Sequence, residues 1–422
     1  MRPGVSRTPA AVGARVVLAL GAVFGLVSLV ETAIATPGEV ALNFQVYYGA
    51  AEAFLAGEPL YGQSPVGVGW LVYLYPPLSV LAFIPLVLLP YSVAFAVFTG
   101  VSLLGGLVLA GVLVRVVERH GEPLERVDRA LVVAFVVCGI YTVPSLVFGQ
   151  VNLLLALAVA VGFTAIAAGR ELRAGSTLGL AAFVKVFPAG FGLWYLRRRA
   201  PRALLAAVAT GGGLLVAGLA LGPDLTVAYV TEALLPRSSR AAFEGGLGPN
   251  AEFLTLRRPL SLLFPESSLA RTVGAVVLLV PVVAVGCRRV DTPRQRLVAA
   301  FAIAAGVLLA LPSYPVYYVV LAYPLVPLLY LFEGPGRRLF LAGAGLAMVT
   351  VNLGDVRAGV TALGLPAPAR EGVLAILIPV LTAGTPPLYG FLLCLAGCVR
   401  FQIAADERDP ERTGDRHVSD ER

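Results

Sequence analysis

NFQVYYGAAEAFLAGEPLYGQSPVGVGWLVYLYPP, residues 43–77, is the first long polar interruption after an apolar run, and its reading decides the fold. It carries Glu52, Glu58, Trp70 and the tyrosines Tyr47, Tyr48, Tyr61, Tyr73 and Tyr75, with Tyr91 just beyond, but no Lys or Arg. Cytoplasmic loops of membrane proteins hold the positive charge, and Tyr and Trp favour the interface. A cation-free aromatic segment behind an apolar helix therefore reads as an external loop, spanning 36–76, that forms one wall of a catalytic or binding cavity.

The composition agrees. The chain is 58% apolar and 14% charged, with mean hydropathy +0.84, which excludes an ordinary soluble domain. Apolar runs of about 20 residues recur along it, the length a helix needs to cross the hydrocarbon core. Strand-period alternation is absent, which argues against a barrel. The net charge of +7 is almost all Arg at the ends of apolar runs, so it reports topology and not nucleic-acid binding. Cys394 and Cys398 stand one helical turn apart without a completing ligand set, so they read as core residues and no metal is expected.

The expected fold is all-α: a polytopic integral membrane bundle of about 12 transmembrane helices, residues 1–400, with interfacial helices in and after the first external loop. Arg2, Arg7 and Arg15 put the N-terminus in the cytoplasm. Residues 15–35 resemble a signal peptide in charge order but read as a retained anchor. The prolines at 76, 77, 85 and 90 place residues 77–90 at the outer interface, and crossings follow at 92–115, 130–147 and 151–168. Segment STLGLAAFVKVFPAGFGLWYLRRR is bounded by Arg on both sides, so it enters and leaves on one face as a broken hairpin with Lys185, Pro188 and Gly190 at its middle. After a crossing at 203–222 comes a long external loop, 223–268. Crossings near 270–287, 297–311, 316–332, 338–353 and 384–400 complete the bundle. The charged segment 401–422 is expected to be a disordered cytoplasmic tail.

Lys185, the single lysine of the chain, is the first candidate for chemistry. A lysine at membrane depth is costly and normally faces an interior or a water-filled cavity; the alternative is snorkelling to the interface. Glu39, Glu52 and Glu58 are external carboxylates that could be solvated loop charges. Gln150 and Asn152 start a span and could be a cap. Arg257 and Arg258 could grip a phosphate or anchor their loop. Tyr314 and Tyr317, in the outer segment PSYPVYY, suit a sugar ring or a membrane belt.

Five stretches carry a resemblance: NFQVYYGAAEAFLAGEPLY (43–61), YLYPPLSVLAFIPLVLLP (73–90), FGQVNLLLAL (148–157), LGLAAFVKVFP (178–188) and RRPLS (257–261). In this order they are similar to glycosyltransferase family 87, the polyprenyl-phosphate-mannose-type mannosyltransferases of the GT-C superfamily. The resemblance implies a GT-C-type bundle in the cell membrane that transfers a hexose, with mannose the expected sugar. The donor would be a polyprenyl phosphate, without a cofactor, and the acceptor a hydroxyl of a glycan, glycolipid or glycoprotein. Transfer would occur on the extracytoplasmic face, with inversion. It further implies a donor and acceptor site drawn from Tyr47, Tyr48, Tyr61, Tyr75, Gln150, Asn152, Lys185, Arg257, Arg258, Tyr314 and Tyr317. The family's first motif opens with Asp where this chain has Asn43, and an amide has no useful basicity. Two readings follow. Either Glu39, one turn earlier, or Glu52 takes over as base, or the scaffold binds or transports a lipid-linked sugar without transferring it.

Overall fold

The computed structural model describes residues 9–64, 67, 71–235 and 243–407. Trp70, Arg2, Arg7 and the end of the charged tail lie outside these. All regular elements among the described residues are helical. In chain order, the α-helices of seven residues or more are α1 (Pro9–Ala35), α2 (Leu42–Ala56), α3 (Tyr91–His120), α4 (Arg126–Cys138), α5 (Asn152–Ala167), α6 (Glu171–Val184), α7 (Pro201–Gly218), α8 (Arg257–Leu263), α9 (Ser268–Gly286), α10 (Pro293–Ala310), α11 (Ala322–Leu331), α12 (Arg337–Ala347), α13 (Leu353–Ala362), α14 (Ala367–Ala383) and α15 (Pro386–Glu407).

Six of these helices are long and apolar enough to cross a membrane: α1, α3, α7, α9, α10 and α15. Asn152–Ala167 and Pro315–Leu331 are shorter apolar helical stretches. The chain is an integral membrane protein built around a large apolar core, with a smaller separate cluster of Phe243, Leu247 and Phe253. Between α2 and α3, the prolines divide residues 77–90 into a 3-10 segment, Pro77–Ala82, and a single turn, Ile84–Val87. Each proline removes a backbone donor, so no long helix forms there.

One end of the bundle is basic and locked by polar contacts. Arg15 donates to Asp128 through two nitrogens, at 2.8 Å each, and pairs with Glu125 at 2.9 Å. Arg294 meets Glu333 at 2.7 Å. Arg197 donates to the carbonyls of Cys287 and Arg288, both at 2.7 Å.

The broken hairpin is rooted at this end. Its outgoing arm is α6, and its return is the 3-10 turn Phe187–Phe191 followed by Gly192–Arg197. Glu171, at the base, accepts from the Ala203 amide at 3.3 Å. α6 lies so close to α7 that a Cβ on Gly175 would fall 2.1 Å from the Ala203 carbonyl, and one on Gly179 2.4 Å from that of Ala207. Small residues spaced by four let membrane helices approach this closely. Lys185 follows α6 directly in extended backbone, at φ −136° and ψ 134°, because Pro188 cannot continue a helix. With a rise of about 1.5 Å per residue, the arm carries the lysine roughly 21 Å from the basic end.

Three sequence expectations need correction. Residues 353–383, to which no element is ascribed, hold α13 and α14. The last helix continues to Glu407, seven residues into the segment expected to be unstructured. Glu39 does not share a helix with Asn43: Pro37 starts a separate 3-10 turn that ends at Glu39, and Ala41 is left-handed at φ 63° before α2 begins.

Candidate active site

The site is built where the FGQVN segment meets the start of α2. Side-chain caps are missing from α2, so its first amides take carbonyls from a distant segment of the same chain. Ala41 N–H donates to Val147 O at 2.8 Å, and the Asn43 and Phe44 amides donate to Phe148 O at 2.9 and 3.0 Å. This clasp needs Gly149, whose φ is +74°; a Cβ there would stand 2.5 Å from Phe44 Cβ. Phe44 is sealed by the rings of Tyr48, Tyr91, Phe95 and Phe98.

Immediately after the clasp, Gln150 and Asn152 face the hairpin tip. The Lys185 ammonium donates to Asn152 Oδ1 at 2.7 Å and to Gln150 Oε1 at 3.4 Å. Asn152 Nδ2 donates in turn to Gln150 Oε1 at 2.7 Å. Asn152 is fully buried. The ammonium also lies 4.3 Å from the centre of the Tyr317 ring and 6.0 Å from that of Tyr75. Phe187 stacks on the other side of this aromatic wall, 5.3 Å from Tyr317. No carboxylate pairs with Lys185 among the described residues. Two neutral amide oxygens and a ring face hold a cation in place without cancelling its charge, which leaves it available to an anion.

The tyrosines of the 47–75 stretch form the adjoining wall. Tyr47 and Tyr75 share a hydrogen bond between hydroxyls at 2.6 Å, Tyr61 donates to the Tyr75 carbonyl at 2.7 Å, and Tyr73 bonds Ser79 at 2.7 Å. Burial pushes the Tyr47, Tyr61, Tyr73 and Tyr75 hydroxyls well above their ordinary value. They remain protonated at neutral pH and act as hydrogen-bond donors. Tyr229 packs 6.0 Å from Tyr61 and closes the wall from the segment after α7.

The other candidates divide. Tyr314 joins the site through Tyr317, edge to face at 6.1 Å. Tyr48 points away and donates to the Leu89 carbonyl at 2.9 Å. Glu52 is exposed, and nine residues along α2 put it on the opposite face from Asn43. Arg258 is fully buried and donates to four carbonyls: Gly248 at 3.0 Å, Ala251 at 2.5 Å, Leu381 at 2.6 Å and Thr382 at 3.1 Å. It ties the 248–251 loop to the end of α14, which matches the anchoring role. Arg257 is also buried and donates to the Ala310 carbonyl at 2.9 Å.

Glu252 is a residue the sequence does not single out. Its loop is fixed by Arg258 and by Tyr318, which donates to the Leu254 carbonyl at 2.7 Å. The neighbouring Phe253 stacks on Tyr314 at 4.6 Å. Desolvation and the like charge of Glu39 push the Glu252 carboxyl up. Two carboxylates far apart in sequence thus feel one another. No group of three or more His, Cys, Asp or Glu gathers among the described residues.

An apolar helical bundle that keeps one lysine uncancelled behind a tyrosine wall is a membrane protein with an internal polar cluster. Comparison with known sequences makes the class specific: the profile of glycosyltransferase family 87 matches residues 73–312, more than half of the chain, and the chain belongs to that family. It is similar to the polyprenol-phosphate-mannose-dependent alpha-(1-2)-phosphatidylinositol mannoside mannosyltransferase of Mycobacterium tuberculosis, with 32% identity over 184 residues, 40% of this chain and 42% of the relative. It is also similar to the polyprenol-phosphate-mannose-dependent alpha-(1-2)-phosphatidylinositol pentamannoside mannosyltransferase of Mycolicibacterium smegmatis, with 33% identity over 193 residues, 43% of this chain and 44% of the relative. The match spans less than half the length of these curated relatives. No solved structure matches the chain.

Proposed function

We propose that this chain transfers a mannosyl group from a polyprenyl-phosphate donor to a hydroxyl of a glycolipid acceptor, on the face opposite the basic end, with inversion. The observation that carries the reading is the uncancelled Lys185 ammonium, held by Asn152 and Gln150 beside Tyr75 and Tyr317. The basic end faces the cytoplasm in this reading, as positive charge favours, and the remaining apolar helices bring the crossings to about 12.

The donor phosphate sits at Lys185, with the Tyr75 hydroxyl within reach of its oxygens. The acceptor hydroxyl loses its proton to a carboxylate at the pocket mouth, and its oxygen attacks the anomeric carbon. As that bond forms, the bond from the anomeric carbon to the phosphate oxygen breaks, and the lipid phosphate leaves with one more negative charge. Lys185 stabilises that charge as it develops, which is where preorganised electrostatics contributes most. Asn43 cannot take the proton. Glu252 fills this role, made more basic than an ordinary carboxylate by desolvation and by the like charge of Glu39.

The test is transfer from labelled polyprenyl-phosphate-mannose in membranes holding the wild type, Asn43→Asp, Glu252→Gln or Lys185→Ala. Wild-type transfer that falls in Glu252→Gln and Lys185→Ala is expected. Transfer by Asn43→Asp alone would overturn the enzyme reading and leave a lipid-sugar binder or transporter on the same scaffold.

A further inference from the structure

Away from the tyrosine wall, α9 and α15 leave a groove of about 700 Å³ between them. On α15 it is lined by Leu392, Ala396, Val399, Arg400 and Ile403, whose spacing of three and four residues puts them on one helix face. Leu278 and Val282 of α9 form the facing wall, and Leu256 closes the far end. Leu278 and Ile403 are about half exposed, at 54% and 46%, so the groove opens sideways toward lipid.

Arg400 is the single charged group in the lining. It is exposed, and no hydrogen bond or ion pair holds it among the described residues. Its level in the bundle is fixed by Gln402, which donates to the carbonyls of Gly286 and Arg289 at 2.9 and 3.0 Å. Arg400 therefore stands at the rim of the basic end, level with the Arg288–Arg289 turn. From Ile403 to Leu392 the stripe is roughly 16 Å long, about half of the ~30 Å hydrocarbon core.

We propose that this groove seats one acyl chain of an anionic phospholipid, with the lipid phosphate against Arg400. Its length matches one leaflet. Its one cation is at the headgroup end, and its opposite end is closed by a leucine. A lipid whose phosphate lay in the tyrosine pocket would need the reverse polarity, so the occupant is a resident of the leaflet at the basic end and not the sugar donor. The inference stands whether or not the chain is a transferase.

The test uses the full chain in detergent, titrated with phosphatidylglycerol and phosphatidylcholine of identical acyl chains, with bound lipid counted by native mass spectrometry. Phosphatidylglycerol should occupy the wild type in preference. Arg400→Gln should reduce that preference about five- to tenfold while leaving phosphatidylcholine binding in place. Ala396→Trp, which fills the groove from an exposed position, should remove the specifically bound lipid of both kinds; monodisperse elution of both variants shows that the fold is kept. Equal occupancy by the two lipids in the wild type, a preference that survives Arg400→Gln, lipid that survives Ala396→Trp, or displacement of phosphatidylglycerol by polyprenyl phosphate would each overturn the proposal.

Discussion

Lys185 Nζ lies 2.7 Å from Asn152 Oδ1, so the cation at the hairpin tip rests on a neutral amide at the start of α5. The identity of that partner decides what the lysine can do. Asn152→Asp keeps the shape and supplies a carboxylate that cancels the charge. The variant should fold and elute as the wild type, while its dissociation constant for polyprenyl phosphate rises by about tenfold or more. Unchanged affinity, measured by lipid titration of the purified protein, would remove Lys185 from the phosphate site.

The pH dependence of transfer distinguishes Glu252 from Glu39. Glu252 must be ionised to accept a proton, so activity should rise with pH through a value above the ordinary carboxylate range, because desolvation and Glu39 push it up. Glu39→Gln removes the like charge and should shift this acid limb to lower pH. Glu252→Gln should lower kcat by about 10²–10⁴-fold. A limb that stays in place in Glu39→Gln, with activity kept in Glu252→Gln, would eliminate Glu252 as the base.

Gly149→Ala tests the clasp between the FGQVN segment and α2. The added Cβ meets Phe44 Cβ at 2.5 Å on a backbone with φ +74°. Left-handed strain and overpacking together should cost roughly 2–5 kcal/mol, seen as a lower thermal midpoint in detergent.

At the basic end, hydrogen bonds from Arg15 hold the Asp128 carboxyl below its ordinary value, against the opposing effect of desolvation. A depressed carboxyl contributes stability that is complete above its unfolded value and is lost as pH falls through the folded one. The wild-type thermal midpoint should therefore drop once pH falls below about 4. Asp128→Asn should be destabilised at neutral pH by roughly 1–3 kcal/mol, as for weakening of charge-assisted hydrogen bonds in a part-buried pair, and should lose most of the acid-linked drop.

Arg258→Lys replaces a planar fork by a single ammonium facing four carbonyls. Stability should fall by roughly 1–3 kcal/mol, while donor affinity of the folded fraction stays as in the wild type. A selective loss of donor affinity would instead return Arg258 to the phosphate site.

The hairpin break is legible in the sequence because a lone lysine, Pro188 and Gly190 interrupt an apolar run with arginines at both borders. The convergence of Tyr47, Tyr75, Gln150 and Lys185 is foreshadowed only by the family resemblance, since their pairing depends on the clasp at Gly149. Other features leave no such mark. Asp355 and Arg357 break up the apolar signal of α13, and prolines 366, 368 and 379 that of α14. Adjacent arginines do not disclose that four carbonyls wait for Arg258. Glu252 gains its distinction from desolvation and from Glu39, more than 200 residues away, and no local pattern encodes that environment.

A lysine borne on a finger that starts and finishes at one end of the bundle cannot slide along the bilayer normal without uprooting both Glu171 and Arg197. The depth of its charge is thereby a ruler cut to the fourteen residues of α6. Membranes of different thickness would then present a lipid phosphate to a fixed mark, and the headgroup, not the protein, would have to move to reach it.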